Sequence, residues 1–176
     1  MVKVAREVEI LLNNTVLSNF AIVGRINLLQ QAVAGKAGTT QQVLAEYQRG
    51  VEFGLLPPVN FDWLPVLMMD EQEQQTFELL RQRLGTGEAS CLAIAYHRGL
   101  WVATDDRDAR RYALQMNIAL SGTIGILVGL VRAKVISLEE ANALLSEMIR
   151  HGYRSPVTDL SVLLSSSHSS DGGAEV

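Results

Sequence analysis

Two short runs constrain this chain more than anything else in it: "VEILL" at 8–12, which stops on Asn13 and Asn14, and "LWVAT" at 100–104, which stops on Asp105 and Asp106. The first has no clear apolar/polar alternation, so it reads as a strand buried on both faces of a parallel sheet. Helix-forming sequence, not a hairpin turn, follows each run. The repeated order of strand then helix predicts an α/β domain with a central parallel sheet flanked by helices on both faces. A length of 176 residues with 48% hydrophobic content suits one such domain with a sizeable core.

The helices announce themselves by caps and inward-facing stripes. Asn14 or Thr15 is positioned to cap a helix carrying Val16, Leu17, Phe20 and Ala21, and Ile26, Leu28, Leu29, Ala32 and Val33 continue a second. Thr39 or Thr40 opens a helix with Val43, Leu44, Tyr47 and Val51 inward. "DWLPVLMMD" reads as a short strand at or near an edge, because Pro65 lacks the amide that a central ladder uses. Asp70 caps a helix with Phe77, Leu80 and Leu84 inward and Gly85 as its stop; "TGEASCLAIAYHRG" and "DRDARRYALQMN" are further helices, the latter leading to a strand near Ile118–Leu120. A buried helix starts at "SGT" (121–123), and Ser137 with Glu140 makes a capping box for the last long helix. We expect residues 1–155 to form the domain, 156–164 an extension, and 165–176, which lack apolar residues before the terminal Ala-Glu-Val, a disordered tail.

Composition removes several classes. A net charge of −4 supplies no global attraction for nucleic acid or an anionic membrane, so an RNA partner needs a local basic patch. The lone Cys91 can form no internal disulfide, and among Leu92, Ala93 and Ile94 it reads as a small hydrophobe. With no signal pattern and no apolar run long enough to span a bilayer, the expected setting is the cytoplasm. No glycine-rich phosphate loop follows the first strand, which argues against a nucleotide-binding doubly wound domain.

Open α/β sheets bind ligands outside the carboxyl ends of their strands, which here carry Asn13-Asn14 and Asp105-Asp106. Two helices add acids beside apolar positions, Glu46 next to Ala45 and Tyr47, and Glu88 in the first turn of an almost wholly apolar helix. Acids so placed are costly to bury unless a cation meets them, and a hard divalent ion would. Each has a bland reading too: Glu46 as a solvated helix acid, Glu88 as a partner of the helix dipole, and Asp105 or Asp106 as an N-cap. Asp108 reads as a solvated partner of nearby arginines. His97 and His151, each beside an arginine near a helix end, suit the dipole there.

The series "LLNNTVLSNF", "VLAEYQRG", "GEASCLAIAYHRGLWVATDDRDARRYA" and "SGTIGIL" resembles the PIN-domain proteins over residues 8–155. More narrowly, it is similar to a branch of VapC-like toxins with a Gly-Glu helix and an Asp-Asp pair. That resemblance implies a metal-dependent ribonuclease in which clustered acids bind Mg2+ or Mn2+ and activate water against an RNA phosphodiester. It makes Glu46, Glu88 and Asp105 catalytic candidates, with Asp106 and Asn13 completing the metal site. Thr123 would orient a water or a phosphate oxygen, and Arg107, Arg110 and Arg111 would grip RNA, although such a basic run is also an ordinary solvated face. It further implies a small antitoxin protein as partner and a homodimer.

At the place of the family's first aspartate stands Asn13, which keeps the shape and gives up the charge. Three readings remain open: a naturally weakened or inactive member, a member whose other acids suffice, or a deliberate change of Asp to Asn. A PIN-fold RNA- or protein-binding module without catalysis is the alternative function.

Overall fold

The computed structural model describes residues 7–165, which form two compact units, one ending at Thr123 and one beginning at Ile124. The first holds a four-stranded, all-parallel sheet of β1 (Ile10–Leu12), β2 (Ala37–Gly38), β3 (Trp101–Ala103) and β4 (Leu120–Ser121), in the order β2-β1-β3-β4. The expected central parallel sheet flanked by helices is therefore present. Register sets the site: Leu12 pairs with Ala103, and Asn13 N–H donates to the Ala103 carbonyl at 3.0 Å, so Asn13 faces Thr104 where both strands end.

The chain leaves β1 toward β2 on one side and leaves β3 toward β4 on the other. The gap between the carboxyl ends of β1 and β3 is thus a topological switch point, where an open parallel sheet presents a crevice. Between strands run α1 (Asn14–Ile22), α2 (Ile26–Val33), α3 (Gln41–Glu52), α4 (Glu71–Leu80), α5 (Thr86–Arg98) and α6 (Arg107–Gln115). α1 buries Val16, Leu17, Phe20 and Ala21, the four positions expected to face inward. Its cap is Asn13, one residue earlier than anticipated, whose side-chain oxygen accepts from Asn14 N–H at 2.8 Å.

α5 is the central helix of this unit and packs against α3, α4, α6, β1 and β3. It is buried from Ala89 through Ala95, which explains why small residues alternate with Leu92 and Ile94: neighbours crowd it on several sides. Gly99, in the left-handed region at φ 67°, ends it. A pair of hydroxyls pins α3 to α5, with Thr40 and Ser90 oxygens 2.7 Å apart and both fully buried.

Three local expectations differ from what is observed. The segment around Pro65 is reduced to one parallel bridge between Thr39 and Val66. Thr39 N–H reaches the Pro65 carbonyl and Leu67 N–H reaches the Thr39 carbonyl, both at 2.9 Å, so this outer edge uses the acceptor that proline keeps. Gly85 is the N-cap of α5 and not the stop of α4, which ends at Leu80 with Arg81 as its C-cap. The fourth strand falls at Leu120–Ser121, because Ile118 N–H still bonds back to Ala113 in the turn after α6.

The second unit contains most of α7 (Thr123–Arg132), together with α8 (Leu138–Arg150) and α9 (Ser161–Ser165). Ser137 caps α8 by accepting from Glu140 N–H, and Asn142 holds the following segment through Asp159 and the Leu160 amide. The expected tail lies outside the described residues except for Ser165, the last residue of α9. Among the described residues no helix is long and apolar enough to cross a membrane.

Candidate functional site

The polar residues at the β1–β3 crevice fall into two groups joined through Thr104. Asn13 and Thr104 are both fully buried, and the Asn13 amide nitrogen donates to Thr104 Oγ1 at 3.0 Å. Thr104 Oγ1 also accepts from Asp106 N–H at 3.2 Å and lies 3.5 Å from the Thr15 hydroxyl. The amide at position 13 is therefore used at both ends, its oxygen on the start of α1 and its nitrogen on the end of β3.

The first group is Glu46 and Glu88. α3 brings Glu46 to the start of α5, where its Oε1 accepts from Gly87 N–H at 2.8 Å and from the Thr86 hydroxyl at 3.3 Å. Glu88, in the first turn of α5, folds back over Gly85. Burial pushes its carboxyl up from the ordinary range, and the charges of Glu46 and Asp106 push the same way. Its own backbone amide and, less strongly, the polar Asn13 side chain pull in the opposite direction. Like-charged neighbours in a partly dry crevice are the condition that a cation relieves.

Glycines make room for these carboxylates. A Cβ on Gly87 would stand within 3.0 Å of the Glu46 carboxyl, and one on Gly85 would meet Glu88 equally closely with Glu46 Oε1 at 3.5 Å. Both acids therefore converge on the same small space beside the start of α5. The "GTGE" stretch at 85–88 carries this signal, but what fills the space of each missing side chain cannot be read without the fold.

The second group surrounds Asp105. Its Oδ1 accepts from Thr123 N–H at 2.9 Å; its Oδ2 accepts from the Thr123 hydroxyl at 2.5 Å and from the Asn19 amide at 3.2 Å. Asn19 also donates to Thr123 Oγ1 at 3.1 Å. Gly122 is the third accommodating glycine, since a Cβ there would lie 2.7 Å from Asp105 Oδ1 and 3.2 Å from the Thr104 carbonyl. Thr123 is fully buried, and its hydroxyl serves Asp105 and Asn19 within the chain. Asn19 was not expected in the site; its side chain ties Asp105 to Thr123.

Asp106 caps α6 by accepting from Ala109 N–H at 2.8 Å and stays within electrostatic reach of Glu88. The three arginines part company. Arg110 Nη1 donates to the Thr104 and Ser121 carbonyls at 2.8 and 2.9 Å, clasping the ends of β3 and β4. Arg111 pairs with Asp108 at 3.2 Å on the surface, and Arg107 is exposed in the first turn of α6. Cys91 is fully buried and burial pushes its thiol up, so it is chemically quiet.

A comparison with protein families matches residues 9–169 to the model described as a PIN domain. The chain belongs to the PIN-domain family. Neither a curated protein nor a solved structure matches it. The PIN domain is a nuclease-type fold whose members generally use divalent metal ions and act on RNA. Among the described residues no three His, Cys, Asp or Glu side chains meet as a metal centre by themselves. Mg2+, however, is commonly held by one or two carboxylates with water and substrate phosphate completing its shell. Glu46 and Glu88 over their glycine cradle, with Asp106 nearby, suit that mode; Asn13 adds no charge to it.

Proposed function

We propose that this PIN domain, residues 1–155, is a metal-dependent endoribonuclease held at low activity by Asn13. It would act as the toxin of a toxin–antitoxin pair in the VapC-like branch. The observation that carries the nuclease reading is the convergence of Glu46 and Glu88 over Gly85 and Gly87, at the carboxyl end of the β1–β3 switch point. A bound Mg2+ or Mn2+ would act as Lewis acid and lower the pKa of a coordinated water at an RNA phosphodiester. Glu46 and Glu88 would hold it, and Asp106, whose charge acts on Glu88, would contribute through water. Asp105 fixes Thr123 and Asn19 and so sets the wall of the crevice.

For RNA, Arg107 is the exposed cation next to the site, with Arg111 free to leave Asp108 for a phosphate at little cost because that surface pair is weak. Arg110 shapes the site from its place between β3 and β4. A small antitoxin protein covering the acidic crevice, a homodimer and a cytoplasmic setting complete the proposal.

The test is Mn2+ calorimetry on the unaltered chain, Glu46→Gln and Glu88→Gln. Loss of supporting groups around a metal costs roughly 10–100-fold in affinity, and loss of a ligand should cost at least as much. Equal Mn2+ affinity in all three proteins removes the site. A second reading, a PIN-fold module that binds RNA or protein without cutting, draws support from the complete burial and bonding of the Asn13 amide. RNA binding that persists in EDTA, with no cleavage in Mn2+, distinguishes it.

A further inference from the structure

We propose that the segment between α3 and α4 is a docking surface, on which a basic and partly apolar stretch of another protein adds an extended strand. Tyr47 and Gly50 of α3 carry this segment, whereas Glu46 turns to the start of α5. The surface is therefore separate from the β1–β3 crevice and does not rest on the metal-site reading.

From Phe53 the chain turns back and retraces α3, a helix whose length is about 18 Å. Leu56 fills the space that a side chain at Gly50 would need, with its Cδ1 2.6 Å from where a Cβ would stand. One turn earlier in α3, Tyr47 donates its hydroxyl to the Pro57 carbonyl at 2.7 Å and meets the Phe61 ring edge-on at 4.9 Å. At the other end Thr39, next to the α3 cap, donates to the Pro65 carbonyl at 2.9 Å. A segment fastened at both ends and in the middle nevertheless holds Phe53, Leu55 and Met68 at least 66% exposed, with Val66 among them. Single exposed apolar residues need no explanation; several on one tied segment, rimmed by charge, mark a contact surface.

Two features say what would cover it. The first is an open sheet edge. Thr39 bonds to the residues on either side of Val66, through the Pro65 carbonyl and Leu67 N–H, so the Val66 N–H and carbonyl face away from β2 and have no partner among the described residues. An extended chain can add there by main-chain hydrogen bonds. The second is charge. From Gly50 to Leu80 the sequence has no Lys, Arg or His, while Glu52, Asp62, Asp70 and Glu71 are exposed along it. Arg49 adjoins the segment, and Arg98 reaches the Met68 carbonyl but is bound to Glu73. A second copy docking through the same face would set acid against acid, whereas lysines or arginines on an incoming strand meet opposite charge.

The experiment measures, by fluorescence anisotropy, binding of a fluorescein-labelled octapeptide of alternating Lys and Val to the full chain. Its controls are a Glu-Val counterpart and a Lys-Val peptide methylated on alternate backbone nitrogens. Leu55→Lys and Met68→Lys put charge on the surface without touching the core, and Leu114→Lys makes the same charge change at an exposed leucine of α6. We expect only the unmethylated Lys-Val peptide to bind; its affinity should fall roughly tenfold or more in Leu55→Lys and Met68→Lys and stay unchanged in Leu114→Lys. No binding, equal weakening by all three substitutions, or equal binding of either control peptide overturns the inference. So does a dimer of the unaltered chain that Met68→Lys dissociates in sedimentation, since a second copy is then the occupant. A peptide site that opens only when residues 1–6 are deleted also overturns it, by assigning the surface to the chain's own end.

Discussion

Gly87→Ala separates the site from the fold. Gly87 lies in the first turn of α5, and replacing a helical glycine by alanine ordinarily gains up to about 1 kcal/mol. Here the added Cβ would sit 2.9 Å from Glu46 Cδ and 3.1 Å from Oε1, with Oε2 closer still, so the carboxyl must swing away from the Gly87 amide that it now accepts from at 2.8 Å. A hydrogen bond to a charged group contributes about 1.5–3 kcal/mol, and Glu46 is half-exposed, so the lower figure applies. The two effects nearly offset. Urea unfolding should therefore place Gly87→Ala within about 1 kcal/mol of the unaltered chain, while Mn2+ calorimetry shows affinity reduced about tenfold or more. Undiminished Mn2+ affinity in a protein of normal stability would refute the view that this glycine exists to seat Glu46.

Two further substitutions probe the supports. Gly122→Ala should be worse tolerated than Gly87→Ala, by about 2–3 kcal/mol in urea unfolding; its Cβ would meet the Thr104 carbonyl as well as Asp105, and backbone cannot step aside as a side chain can. Equal cost for the two would mean that the β3 end is softer than its bonds suggest. Glu73, 1% exposed, accepts from Arg98 Nε and Nη2 at 2.6 and 2.9 Å, and chiefly for that reason its carboxyl lies below the ordinary range. A lowered carboxyl pKa adds stability that is complete above the unfolded value of 4.5 and is lost as pH falls through the folded value. Glu73→Gln should thus cost about 1–3 kcal/mol at pH 7, and the gap from the unaltered chain should narrow in unfolding curves taken below that value; a constant gap across the range would contradict the assignment.

Much of the fold was legible because strong local signals agreed with the tertiary outcome. The apolar run at Ile10–Leu12 pairs in the centre of the sheet, and the helix caps at Thr40, Asp70 and Ser137 each bond the amide three residues on. Less was legible where one residue type serves two outcomes. Asn13, Asn14 and Thr15 are all competent caps, and strand register, not propensity, selects Asn13. Gly85 reads as the stop of one helix and instead caps the next, since α4 already ends at Arg81 and a short turn leads on to α5.

In the site, the identities of the acids were readable but their company was not. Glu46 and Glu88 come together because α3 packs on α5, whereas Asp105 is drawn to Thr123 and Asn19 by contacts spanning 18 and 86 residues of sequence. The basic run at 107–111 read as one surface. Helical geometry divides it: Arg110 turns inward to two strand-end carbonyls, and Arg111 outward to Asp108. No local pattern distinguishes those fates.

The most direct test of the central claim is a cleavage assay on single-stranded and structured RNA in Mn2+ or Mg2+. It would compare the unaltered chain, Asn13→Asp, and Asn13→Asp combined with Glu88→Gln, each with and without EDTA. Slow cutting by the unaltered chain, faster cutting by Asn13→Asp, and loss of activity on adding EDTA or Glu88→Gln are the expected results. An Asn13→Asp protein that binds Mn2+ and RNA yet leaves every substrate intact would contradict the claim.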